Sequence, residues 1–456
     1  MKAPCKALPA RRRCPRRRAP AAVLIAIGIF LAVAPALPAL GSGERTGPRR
    51  LEIFSWWTAG GEAEGLAALF DIYRAKFPTV FMINATVAGG AGSNAKTELA
   101  TRMQGGNPPD SFQVHAGHEL IDTWVVAGKM EPITFIFRAN GWLEKFPRSL
   151  IDIISWKGEI YSVPLDIHRS NVLWYNTALF AAHHLSPPRT LPEFLDVCSA
   201  LAAKGITPIA LGDNGIWTSL HLLESVLVGT LGPEKYKGLW TGATRWDSPE
   251  IRNALATFAR LLRYVNSDHA ALSWDGAVQY VIDGKCAMTV MGDWAEGYFK
   301  AKGLTPNKEF GWVPSPGTAG WFIALSDSFG LPRGAPHRDA AVRWLTLAAS
   351  REGQDAFNPH KGSIPSRIDG NPALYDQYQR AAMASYTHDI IVPSVTHGAA
   401  ASEAWLALIQ DAIDAFVRTM DADQADRALV SAAHQALRGA ARTIPLDPSP
   451  FSSGAP

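Results

Sequence analysis

The sequence predicts an α/β protein built as two lobes with a cleft between them. Three observations point there. Short apolar strands alternate with amphipathic helices along the first third of the chain. An extended stretch with a proline and no helical period, residues 160–176 (IYSVPLDIHRSNVLWYN), interrupts that alternation. A second strand–helix alternation then begins. The length of 456 residues is enough for two or three domains, and a composition of 47 % apolar and 19 % charged residues excludes disorder, collagen and coiled coil as the main architecture.

The elements follow in order. Residues 51–56 (LEIFSW) read as a strand. Residues 62–76 read as a helix, with Leu66, Leu69, Phe70 and Tyr73 at helical spacing and Pro78 ending it. A second strand spans 80–87, the GGAGSN loop leads into a helix at 95–104, and GGNPPD breaks the chain. A third strand at 110–115 and a helix at 117–127 complete the unit. This order predicts a parallel sheet with helices on its faces.

Beyond the extended stretch, residues 191–204 read as a helix with Thr190 as N-cap. A strand at 206–211 and helices at 220–229, 249–264 and 273–283 come next. Residues 287–291 read as a strand, and 321–326 as a strand returning to the first lobe. Helices are expected at 337–350 and 351–358, and through the Ala-rich 402–438. The Pro- and Ser-rich tail, 441–456, reads as disordered. Several crossings between lobes make a hinge, and ligand sites favour such interfaces.

The N-terminus reads as an export signal, residues 1–42. Arg16, Arg17 and Arg18 precede an apolar core (AVLIAIGIFLAVA), and small residues follow. Cleavage is expected near residues 39–42, and the mature protein is expected outside the cytoplasm. The first 42 residues hold eight basic and no acidic residues, leaving 36 basic against 41 acidic in the rest. The mature chain is therefore acidic, and nothing argues for nucleic acid. Cys5 and Cys14 fall in the signal. Cys198 and Cys286 remain, either as one disulfide or as two small buried hydrophobes.

Trp is abundant, with 15 residues, all from Trp56 onward. Trp56 and Trp57 sit where the first strand ends, and ligands of open α/β sheets bind outside the carboxyl ends of strands. A Trp face suits a sugar ring, whose C–H face is apolar. At least one of the two can equally be core. Glu62 begins the first helix, where it complements the helix dipole or accepts from a ligand hydroxyl. Gln113 and His115 alternate on the third strand. Trp274 and Trp294 lie twenty residues apart, each open to core packing or to a ligand. Asp327 reads as a hinge or turn residue, Lys361 and His397 as loop residues. Spacing for a metal site is not convincing anywhere. There is no GxSxG and no HExxH, and no pair of carboxylates stands out as a catalytic couple.

A set of longer runs carries a resemblance: FSWWTAGGEAEGL, INATVAGGAGSNAK, NPPDSFQVHAG, VPLDIHRSNVLWYN, MGDWAEGYF, PSPGT, LSDSFGLP, GQDAFNPHKGSIPSR and VTHGA. With these the chain resembles the extracellular solute-binding proteins of bacterial ABC-type carbohydrate importers, and within them the periplasmic glucose-binding proteins. The resemblance covers residues 51–438. It implies the periplasmic-binding-protein fold, two α/β lobes on a multi-segment hinge. The N-terminal lobe would be 48–165 plus 327–366, the C-terminal lobe 166–326 plus 367–440.

The resemblance also implies a receptor without catalysis, cofactor or metal. It would capture a monosaccharide, glucose first, and pass it to the membrane permease subunits of an ABC importer; a monomer is expected. It implies ring stacking at Trp57 or Trp56 and at Trp274 or Trp294, with polar contacts from Glu62, Gln113, His115, Asp327, Lys361 and His397. The stretch between Trp57 and Glu62 is one residue longer than the pattern, which makes Glu64 a competitor of Glu62. Asp293 is a lesser candidate beside Trp294. The alternatives are a secreted glycoside-active enzyme or a receptor for another mono- or oligosaccharide.

Overall fold

A computed structural model describes residues 49–88 and 92–440. The export segment 1–42 with Cys5 and Cys14, the first residues of the GGAGSN loop and the tail 441–456 lie outside the described residues. Strand β1 (Arg50–Ser55) buries Leu51, Ile53 and Phe54. Helix α1 (Gly60–Lys76) turns Leu66, Leu69, Phe70 and Tyr73 inward, with Glu62 in its first turn and Arg74 and Lys76 in its last, as the helix dipole favours. β2 (Phe81–Thr86), α2 (Ser93–Gln104) and β3 (Ser111–His115) follow.

β1 lies between β2 and β3 and is parallel to both, as the alternation predicts. The other edge departs from the prediction. Strand Asp327–Gly330 pairs antiparallel with β3, setting Asp327 opposite His115, and strand Ser162–Pro164 closes the sheet. The departure has a topological cause: these two runs cross between sheets side by side, so they pair with each other on the way. Strand Asp166–Arg169 continues the first run into a further four-stranded sheet, where it lies against Trp321–Leu325, with Leu325 opposite His168. Ile390–Pro393 and Ile364–Pro365 complete that sheet. The remaining four-stranded sheet has the order Phe310–Pro314, Val172–Asn176, Cys286–Val290, Thr207–Ile209.

Several expectations change. Residues 117–127 contain a wide π-helical turn, Glu119–Val125, with Val126 N–H bonded five residues back to Ile121 O. Residues 402–438 are two helices, Glu403–Thr419 and Ala422–Ala440, separated where Met420 takes a left-handed conformation (φ 56°). Asp327 opens a strand rather than a turn. Lys361 is not in a loop: it ends helix Arg351–Lys361 and is 2 % exposed. Helices Thr134–Ala139, Arg148–Ile153, Pro233–Thr241 and Gln377–His388 carry no clear apolar period in sequence. Thr190 does cap its helix, accepting from Glu193 N–H at 3.3 Å. Cys198 and Cys286 are free, buried thiols in separate apolar clusters. No helix among the described residues is long and apolar enough to cross a membrane.

One packing seam fixes geometry near the site. Helix Trp294–Ala301, which follows strand Cys286–Val290, lies against α1 and against helix Arg351–Lys361. Backbones touch there. A Cβ on Gly61 would fall 2.0 Å from His360 O, one on Gly297 would fall 2.5 Å from Lys361 O, and one on Gly362 would fall 2.3 Å from Asp293 O. No residue larger than glycine fits these positions without moving a main chain.

Candidate functional site

A cavity of about 290 Å³ opens where β1 and β3 end. Trp56 follows β1 and lines it. Its neighbour Trp57 does not, because adjacent residues leave the strand on opposite sides. Trp57 is 1 % exposed and packs beneath the cavity on Phe357 (4.8 Å) and Phe329 (5.6 Å). The loop glycine Gly92, at φ +93°, rests on the Trp56 ring, and a Cβ there would lie 2.8 Å from it. Gly92 is thus a seat for an aromatic ring.

The charged side of the cavity comes from the first sheet, from α1 and from helix Arg351–Lys361. Glu62 projects from the start of α1 and accepts from Lys361 Nζ at 2.6 Å. Glu64 points away, half exposed, and pairs with His360 at 3.5 Å. His115 ends β3, faces Trp56 at 5.1 Å between rings, and bonds Glu119 through Nδ1 at 2.6 Å. The π-turn carries Glu119 back beneath His115, and Lys96 from α2 closes on the same carboxylate at 2.7 Å. Asp327 lines the cavity and accepts from Gln113 Nε2 at 2.9 Å. Gln113 stands behind the cavity, orienting Asp327 and accepting from Trp56 N–H at 3.2 Å.

The opposite side is aromatic. Trp217, Trp274 and Trp294 line it, and each is the first residue of its helix. Asn214, Ser273 and Asp275 add polar groups between them. His397, in the loop after strand Ile390–Pro393, lies edge-on to Trp294 at 5.1 Å and to Trp217 at 5.8 Å. His221 backs it, with its Nδ1 3.4 Å from His397 Nε2 and 3.4 Å from Ser170 Oγ. Asp293 sits behind Trp294, bonded to Arg169 N–H at 2.9 Å and to His168.

Burial and neighbours set the charges. Burial alone would lower Lys361, but Glu62, Asp327 and Asp166 outweigh it and hold its ammonium above the ordinary lysine value. Burial raises Glu62 despite the Lys361 ammonium. Asp327 is lowered although burial opposes this, because His168, His115 and Lys361 face it. Burial, then the rings of His221 and His115, push His397 well below the ordinary imidazole value. The cavity thus offers an ionised acceptor, Asp327, and an ammonium on one side, and indoles with a neutral imidazole on the other.

Among the described residues, Asp166, His168 and Asp327 are the one group with three ligand-type atoms within 4.8 Å of one another. Both His168 nitrogens already face carboxylates. Asn214, Trp217, Asp275 and His168 are not among the residues that the sequence alone points to. Trp217 carries a signal, as a Trp that opens a helix after a glycine-rich loop; the others carry none, because only the fold brings them here.

The model of bacterial extracellular solute-binding proteins matches residues 63–355. The chain belongs to that family. An uncharacterized ABC transporter extracellular-binding protein of Pyrococcus horikoshii is 37 % identical over 388 residues, 84 % of this chain and 87 % of its own. A probable sugar-binding periplasmic protein of Mesorhizobium japonicum is 33 % identical over 325 residues, 70 % of this chain and 76 % of its own. A solved chitin oligosaccharide binding protein superposes with a TM-score of 0.75 at 21 % identity, over 86 % of this chain and 100 % of its own. The fold is therefore the periplasmic-binding-protein fold, and the family is one of binding proteins, not enzymes.

Proposed function

We propose that the protein is the sugar receptor of an ABC-type importer and that its ligand is a monosaccharide, glucose first. The observation that carries this reading is the cavity with indole faces on one side and ion-paired polar groups on the other. A pyranose offers the same two chemistries: an apolar C–H face and a rim of hydroxyls that both donate and accept. The volume of about 290 Å³ lies at the small end of the roughly 300–1,000 Å³ usual for ligand pockets, which favours one ring over a chain of rings.

In this reading Trp56, Trp274 and Trp294 stack on the ring, and Glu62, His115, Asp327, Lys361 and His397 bond its hydroxyls. Trp57 and Gln113 support them from behind. The lobes are 48–165 plus 327–366 and 166–326 plus 367–440, and residues 1–42 direct export to the periplasm. The receptor acts as a monomer, closes on the sugar and releases it to permease subunits that favour the open form.

The test is calorimetric titration of the mature protein, refolded free of sugar, against glucose, mannose, galactose and short oligosaccharides, with product analysis of the same mixtures. One-to-one binding of an intact monosaccharide is the expected result. Binding confined to oligosaccharides overturns the monosaccharide assignment, and silence across the panel overturns the sugar reading.

A further inference from the structure

We propose that His168, which does not line the cavity, is a positioning residue for it: an imidazolium that bridges Asp166, Asp293 and Asp327 and so keeps Asp327 ionised and aimed at the ligand. The inference rests on the sugar-receptor reading and extends it to a residue behind the site.

The geometry carries the argument. The His168 side chain is fully buried. Its Nδ1 bonds an oxygen of Asp293. Its Nε2 lies within ion-pair distance of Asp166 Oδ2 at 3.2 Å and Asp327 Oδ2 at 3.3 Å, without an aligned hydrogen bond to either. Asp166 accepts from the Asp327 backbone N–H at 2.7 Å with its other oxygen, and Asp293 accepts from Arg169 N–H at 2.9 Å with its own. Three carboxylates from three segments of chain therefore converge on one ring. Beyond the ring, Lys361 acts on Asp166 and Asp327, but its ammonium bonds Glu62. His115 Nε2 faces Asp327 from the cavity side at 3.6 Å.

Carboxylates held this close raise one another's pKa, so that one takes up a proton, unless a cation sits among them. A protonated Asp327 would be a poorer acceptor for a sugar hydroxyl. The same ring meets Trp294 edge-on at 5.4 Å. Burial opposes the charge on His168, yet Asp166 and Asp293 hold it well above the ordinary imidazole value.

A double-mutant cycle tests this, with sugar affinity read by calorimetry for wild type, His168→Gln, Asp327→Asn and the double variant. We expect His168→Gln to weaken binding at least tenfold. We expect the double variant to bind no more weakly than Asp327→Asn, because His168 acts through Asp327. Wild-type affinity in His168→Gln, or losses that multiply, would overturn the proposal. Ring ¹⁵N NMR of wild-type protein labelled in histidine covers the case in which His168→Gln does not fold. Both His168 nitrogens should stay protonated through pH 8. A bare ring nitrogen at pH 7, or one equivalent of divalent metal retained on purification and lost to chelator, would overturn it. If wild type binds no sugar the receptor reading fails first, and the NMR result still decides whether the ring is the bridging cation.

Discussion

The two sides of the cavity are built on different principles. On the charged side every group is already engaged: Lys361 with Glu62, Asp327 with Gln113, and His115 with Glu119, which Lys96 also pairs. On the aromatic side Trp217, Trp274 and Trp294 present faces, and their neighbour His397 is neutral. Groups tied to one another before a ligand arrives cost little to order when it binds, and they hold their geometry. Indole faces contribute by removing apolar surface from water. Damage to the charged side should therefore appear in stability as well as affinity. On the other side the partly exposed Trp274 should show its loss mainly in affinity, whereas Trp217 and Trp294, 4 % and 6 % exposed, also belong to the core.

The largest effects are expected beneath and within the charged side. Trp57→Ala removes a fully buried ring and should cost about 3–5 kcal/mol of stability, with little change in affinity of the folded fraction. Denaturant unfolding beside titration separates the two readings. Lys361→Met leaves Glu62 buried without its cation and should cost about 3–5 kcal/mol of stability together with sugar binding. A variant as stable as wild type would mean that the pair is not set in advance.

Trp274→Ala is the counterpart on the other side. It should lose about 1.5–3 kcal/mol of affinity, the worth of burying a large apolar group, while its Tm stays close to wild type. Equal losses of Tm in Trp274→Ala and Lys361→Met would break the comparison.

Acid should dismantle the two sides in turn. Burial pushes His221 down to about 4 from an ordinary value of 6.5. The unfolded chain thus takes up a proton that the folded chain refuses, and stability falls as pH drops from 6.5 towards 4. For Glu119 burial works upward, but Lys96 and His115 prevail and hold it at about 2 against an ordinary 4.5. Its contribution is present above pH 4.5 and is lost as pH falls from there towards 2. Tm measured from pH 8 to pH 3 should decline in two stages, and His221→Asn should shrink only the first. The smallest effect belongs to Glu403→Gln, at the partly exposed end of the Lys96 network. It should change stability by less than about 1 kcal/mol.

Much of this was legible in the sequence where the chemistry is local. The apolar period of α1, the alternation of strand and helix from β1 to β3 and the cap at Thr190 all follow from neighbours within a few residues. The alternation at Trp56 and Trp57 said that one ring faces away, though not which. Lys361 reads as a loop residue in the sequence because Pro359 and Gly362 flank it. In the fold Pro359 lies inside the helix and Gly362 caps it in a left-handed conformation. Glu119 reads as an ordinary helix residue until the π-turn puts it under His115. Asn214, Asp275 and His168 carry no local mark, since their partners lie on distant segments.

The glycine seam has a consequence for how relatives diverge. Gly61 precedes Glu62, Gly297 lies three residues after Trp294, and Gly362 follows Lys361. Main-chain contacts at these glycines act as a spacer gauge for three lining side chains. The gap between them is set by backbone thickness and not by the side chains that fill it. Exchanging a lining residue can therefore retune which hydroxyls are recognised while the aperture stays constant. Adding a single methyl group at the seam would change the aperture itself.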